Sequence, residues 1–186
     1  MKKIIYAFSA LLLAGVVAFS SCDKVKDLVK VNFNLENASG EFSVPALTAV
    51  GEVSLGTDDV YINLDSIIKA QNAEVNSKNI KEVRLTSCEL VLQNGDAKNN
   101  FSALESCKLQ LASNVKPEFI TMASVENNPD VVAYTLVLPV DNSLDLKDYF
   151  LNATTFSYKV SGKTRKTTDK PLDCKIVVKY NIVAGL

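Results

Sequence analysis

From residue 29 onward the chain alternates. Val29, Val31, Phe33 and Leu35 stand two apart with polar residues between them, the pattern of a strand that buries one face. Asn37-Ala-Ser-Gly40 then reads as a turn. Further apolar stretches lie near 45–55, 60–64, 80–92, 107–112, 118–125, 131–138, 154–160 and 174–183. Turn-forming residues separate them: Gly56-Thr-Asp-Asp59, Asn94-Gly95, Asn127-Asn-Pro-Asp130, and Ser161-Gly-Lys-Thr164 leading into a basic loop. The last stretch is the clearest, with Cys174, Ile176, Val178, Tyr180 and Ile182 in one phase and Lys175, Lys179 and Asn181 in the other. Val131 to Leu138 is apolar in both phases, which predicts a central strand covered on both faces. Two short helical turns interrupt the strands: Asp65 or Ser66 can cap Ile67-Ile-Lys-Ala70, and Asp145 can cap Leu146 to Phe150. About nine short strands with turn chemistry at this density predict an all-β fold, an antiparallel sandwich or barrel.

The start of the chain breaks the two-residue period. Met1-Lys2-Lys3 is basic, Ile4 to Phe19 is almost wholly apolar, and Ser20-Ser21-Cys22 follows. A charged start, an apolar run and a small-residue exit are the anatomy of a cleaved export signal. The run falls short of the ~20 residues a membrane-spanning helix needs. An ordinary secretory signal with an incidental cysteine is the competing reading. Ala18, Ser20, Ser21 and Cys22 together resemble the lipobox of bacterial lipoproteins, a family whose members are cut before the cysteine and diacylated on its thiol. The resemblance implies lipidation at Cys22 and hence a membrane held through lipid, since two or more acyl chains anchor a protein stably. Residues 23–28 are charged and read as a tether, so the expected division is 1–21 signal, 22–28 lipidated tether and 29–186 a single domain.

Taken whole, the chain is similar to small cell-envelope lipoproteins of Bacteroidota. The features that carry the likeness are Cys22 in its context, a strand-rich body, the segment Leu144-Asp-Leu-Lys-Asp-Tyr-Phe150 and a closing hairpin. That resemblance implies an immunoglobulin-like β-sandwich at the outer membrane, on its periplasmic or surface face. Asp65-Ser66-Ile67 also resembles the three-residue O-glycosylation acceptor of that group, which makes Ser66 a candidate modification site beside its reading as a helix-start residue.

Composition narrows the chemistry. The 186 residues include no His, which removes Ser-His-Asp and Cys-His nucleophile systems and any His-ligated metal. Twenty basic against 21 acidic residues leave a net charge of −1, without the positive footprint that nucleic-acid binding requires. Three cysteines follow Cys22, and each is in phase with apolar neighbours, so Cys88, Cys107 and Cys174 read first as small buried hydrophobes. If a disulfide exists, Cys88 and Cys107 are the expected pair, on strands that could be adjacent.

The remaining candidates are binding groups. Asp58, Asp59 and Asp65 could offer oxygens to a cation, but they lack the order of a calcium loop and read as turn residues; no metal or cofactor is expected. Lys163, Arg165 and Lys166 lie in the densest basic stretch, which suits an acidic glycan or a lipid headgroup, or else a solvated loop. Tyr149 and Tyr158 could stack on a sugar or pack in the core. The leading expectation is a lipid-anchored, non-enzymatic envelope protein that binds or supports a glycan or an envelope protein. The alternatives are a carbohydrate-binding accessory lipoprotein of a glycan uptake system and, last, a hydrolase.

Overall fold

A computed structural model describes residues 30–185. The signal segment, Cys22 and the tether therefore lie outside the described residues. Eight strands run in chain order: β1 (Lys30–Val44), β2 (Gly51–Tyr61), β3 (Ile80–Leu92), β4 (Leu104–Ser113), β5 (Lys116–Val125), β6 (Thr135–Val137), β7 (Thr155–Thr164) and β8 (Leu172–Gly185). Helix α1 (Leu64–Gln71) follows β2, and the single turn α2 (Lys147–Phe150) follows β6. The strands form two four-stranded antiparallel sheets in the orders β1-β8-β3-β6 and β2-β7-β4-β5.

The protein is an all-β antiparallel sandwich, as the alternation predicts. Its strand order is that of a jelly roll, in which the chain passes back and forth between the sheets. An immunoglobulin order joins consecutive strands within a sheet; here only β4 and β5 are consecutive neighbours. The expected closing hairpin is likewise absent, because β7 pairs with β2 and β4 while β8 pairs with β1 and β3.

Three expected turns lie inside strands. Asn37 to Gly40 belongs to β1, whose pairing with β8 shifts register between Leu35 and Ala38. Gly56 to Asp59 belongs to β2, with a shift between Ser54 and Gly56, and Ser161 to Thr164 completes β7. Glycine and the short polar residues serve bulges as readily as turns, so local chemistry alone does not separate the two. α1 also begins earlier than expected: Asn63, not Asp65 or Ser66, accepts the first-turn N–H of Ser66 at 3.0 Å. At α2 the cap position is Leu146 and not Asp145, but Asp145 does accept a first-turn amide, Lys147 N–H, and also Val83 N–H of β3, each at 3.0 Å.

The inner faces of the two sheets make one core. Ile176, Val178, Tyr180 and Ile182 of β8 face Leu109 and Leu111 of β4 and Phe156, Tyr158 and Val160 of β7, all of them fully buried. The Tyr158 and Tyr180 hydroxyls meet across the sandwich at 2.9 Å, and Phe150 of α2 packs on Phe156 and Tyr180 with ring centroids 4.7 and 5.0 Å apart.

The wrap sorts the connections by end. Segments 45–50, 93–103, 126–134 and 165–171 gather where β1 stops; segments 62–79 and 138–154 gather where β1 starts.

Candidate functional site: the loop end of the sandwich

The end of the sandwich remote from Lys30 holds Lys163, Arg165 and Lys166, and side chains staple its loops together. Leu47 and Thr168 exchange bonds, Leu47 N–H donating to Thr168 Oγ1 and Thr168 N–H to Leu47 O, both at 2.9 Å. Buried Asn128 donates to Phe101 O at 2.8 Å and Leu104 O at 3.0 Å, and buried Asn99 accepts from Asp169 N–H at 3.0 Å. A buried amide that keeps its partners is a rigid tie. An open depression between the loops, lined by Lys98, Asn99, Ser102, Lys166, Thr168 and Asp169, therefore has a floor whose polar groups are largely committed to holding it.

Three cations of this end, Lys163, Lys166 and Lys170, are matched with acids, whereas Arg165 is bonded to a carbonyl and its Nε is buried without a partner among the described residues. Lys163 Nζ lies 2.9 Å from Glu105, the Arg165 guanidinium donates to Asn128 O, and Lys166 pairs with Asp130. Lys170 Nζ sits 2.8 Å from Asp96 and 2.7 Å from Asn94 O. Asp96 also accepts from Asn99 and from the Lys98 and Asn99 backbone, and the Lys170 ammonium with these donors holds its carboxyl far below the usual carboxylate range. Lys166 holds Asp130 down in the same sense. Exposed pairs of this kind add little to stability, because water screens them. Their main effect is to cancel the positive field that an acidic ligand would need.

The other sequence candidates are dispersed. Tyr158 is a core residue, because it shares the inward phase of β7 with Phe156 and Val160. Tyr149 is 5% exposed on α2, at the opposite end, and its ring carries Lys116 Nζ 4.8 Å from the centroid. The structure thus corrects the sugar-stacking expectation for this pair: neither ring offers a free face beside Lys163, Arg165 and Lys166. Asp58, Asp59 and Asp65 are spent separately, on Glu41 N–H at 3.2 Å, on Ser157 Oγ and on Ser77 N–H at 2.8 Å. Ser66 stands exposed on the first turn of α1.

Cys88, Cys107 and Cys174 are buried free thiols. Cys88 and Cys107 lie on β3 and β4, which belong to different sheets, so the adjacent-strand basis for their pairing does not hold. Burial pushes the Cys88 and Cys174 thiols up to about 12 and the Cys107 thiol higher still, which leaves them protonated and unreactive at neutral pH.

One feature escapes the sequence reading. The run 131–138, expected at the centre of a sheet, contributes only β6, at the edge. Val131, Val132, Tyr134 and Val137 are 61, 56, 45 and 62% exposed, half of the eight large hydrophobic side chains that stand out among the described residues. The signal is present in the chain: a strand-forming octet with no charge in it.

No protein-family model matches this chain, and no curated protein matches it. Among solved structures it is similar to the infectious bursal disease virus Gx strain structure, at 11% identity and a TM-score of 0.38 over 84% of this chain and 32% of that one. It therefore spans about a third of that chain's length. The decameric BFDV capsid protein matches at 8% identity and 0.37, over 84% of this chain and 99% of that one. A mutant of the family 29 carbohydrate-binding module CBM29-2 matches at 12% identity and 0.28, over 84% and 86%. At these scores the likeness carries no argument about function.

Proposed function

We propose that this protein is a lipid-anchored, non-enzymatic sandwich of the bacterial cell envelope, held by acylated Cys22 and presenting a binding surface away from the membrane. The supporting observation is directional. β1 starts at the end opposite segments 45–50, 93–103, 126–134 and 165–171. Only seven residues separate Cys22 from Lys30, a reach of about 25 Å when fully extended. A bilayer gripped at Cys22 would then sit below the β1-start end, and the loop end would project from it. The body supplies no attraction of its own to anionic lipid, because 18 basic and 21 acidic residues remain after Lys2 and Lys3 are removed with the signal. The anchor must come from the acyl chains.

The test is metabolic labelling with an alkyne-bearing palmitate analogue, in cells producing the full chain or its Cys22→Ser variant. The proposal expects label on the first and none on the second, with the variant leaving the membrane fraction. Label that survives the substitution, or an unlabelled wild type that still fractionates with membrane, would overturn it.

A further inference from the structure

The edge strand β6 is built to receive another strand. Leu92 N–H donates to Tyr134 O at 2.8 Å and Leu138 N–H donates to Cys88 O at 3.0 Å, with Leu90 paired to Leu136 between them. Hydrogen-bonded pairs alternate with non-bonded ones in an antiparallel ladder, so Thr135 and Val137 occupy the non-bonded positions towards β3. Their backbone N–H and C=O groups point to the open side of the sheet, and no backbone or side-chain bond among the described residues engages them.

The other sheet edges are guarded. Asp58 takes the Glu41 N–H at the edge of β1. β2 carries Glu52, Asp58 and Asp59. β5 carries Lys116 and Glu118 and is further closed by the chain leaving β6, through an Ala123–Val140 bridge and Ser124 N–H to Pro139 O at 3.0 Å. Charge and closure are the ordinary means of keeping an edge from pairing. Residues 131–138 carry no charge, and although Phe101 N–H takes the Ala133 carbonyl at 2.9 Å, nothing among the described residues closes Thr135 or Val137, which four exposed apolar side chains flank. β6 is short, and what it leaves open is a pair of uncharged positions that an extended strand can pair with.

We infer that β6 docks an extended apolar strand of another polypeptide, which adds to the β1-β8-β3-β6 sheet by pairing with the Thr135 and Val137 backbone and covering Val131, Val132, Tyr134 and Val137. The size of the surface selects this occupant over a second copy of the chain. The four side chains leave on the order of 300 Å² uncovered, within the range of functional patches but well short of the roughly 800 Å² per partner that a stable dimer buries. A single added strand gains most of its hold from backbone bonds and needs no larger face. The inference deepens the binding role proposed above and is independent of the anchor.

The test uses the full chain in detergent micelles with one probe, a capped, lysine-flanked peptide of alternating valine and threonine. Binding is read by fluorescence anisotropy and by the amide signals of Thr135 and Val137. The expected result is saturable binding in which those two amides shift and gain exchange protection. Thr135→Pro, whose missing N–H faces outward and spares the β3 pairing, should weaken binding at least tenfold. Val137→Lys, a substitution on an exposed position, should do the same should the proline disturb the fold. Cys22→Ser should bind unchanged, so loss of the anchor and loss of the edge are read separately. Equal binding by Thr135→Pro and Val137→Lys, perturbation of amides elsewhere only, or a concentration-dependent dimer that Val137→Lys abolishes would each overturn the inference.

Discussion

Two phenol hydroxyls meet in the middle of the core, and their surroundings make them unequal. The Tyr180 hydroxyl has two buried neighbours, the Tyr158 hydroxyl at 2.9 Å and the Met122 sulfur at 3.8 Å, whereas Tyr158 has Tyr180 alone. Removing the Tyr180 hydroxyl leaves that of Tyr158 without a partner; removing that of Tyr158 leaves Tyr180 the sulfur. Tyr180→Phe should therefore destabilise by about 2 kcal/mol and Tyr158→Phe by less. The double variant should fall below the sum of the two, measured by guanidinium unfolding. Titration of the core should also be visible in alkali. The folded state keeps Cys88 and Cys174 protonated up to about 12, against an ordinary thiol value of 9.0, so above pH 9 the unfolded chain releases protons that the folded one retains. The thiols' contribution to stability is full below that value and declines as pH rises towards 12. The melting temperature should drop steadily from pH 9 upward, and less steeply in Cys88→Ala after allowance for its lower starting value.

At the scale of elements, close approach decides more than propensity. Gly162 of β7 pairs with Cys107 of β4, and a Cβ there would lie 2.2 Å from the Ser106 carbonyl oxygen. Gly162→Ala must push β4 and β7 apart at the centre of their sheet, with an expected loss of about 1–3 kcal/mol in chemical denaturation. This position marks the limit of what the sequence discloses. The inward phases of β7 and β8 are legible because Phe156 and Tyr158 alternate with polar residues, while Ile176, Val178 and Tyr180 keep one phase with only Val177 apolar between them. Gly162 reads as a turn because a residue without a side chain serves a crowded strand pair as well as a reversal. The same ambiguity hides the bulges of β1 and β2. β6 escapes for a related reason: a run apolar in both phases fits a doubly covered central strand, and nothing local distinguishes that from an edge awaiting its neighbour.

At the scale of the whole molecule, the first and last described strands pair along nearly their full length, from Lys30 opposite Gly185 to Val44 opposite Leu172. No periodicity along the chain encodes such a pairing, which is why the sandwich is legible in the sequence and its jelly-roll order is not. The candidate site divides in the same way. Single residue types announce where charge and aromatic rings occur, yet strand parity puts Tyr158 inside and tertiary contacts match Lys163 and Lys166 with acids distant in sequence. In the role proposed above, an acyl anchor at Cys22 is what joins fold to function, since it would leave the loop end of the sandwich facing away from the bilayer. The intact mass of the protein extracted from cell membranes tests that anchor most directly. The expected species is a chain beginning at Cys22, lacking residues 1–21 and heavier than its sequence by a diacylglyceryl group, alone or with a further acyl chain. A mass matching the uncut chain, or a cut chain with an unmodified Cys22, would contradict it.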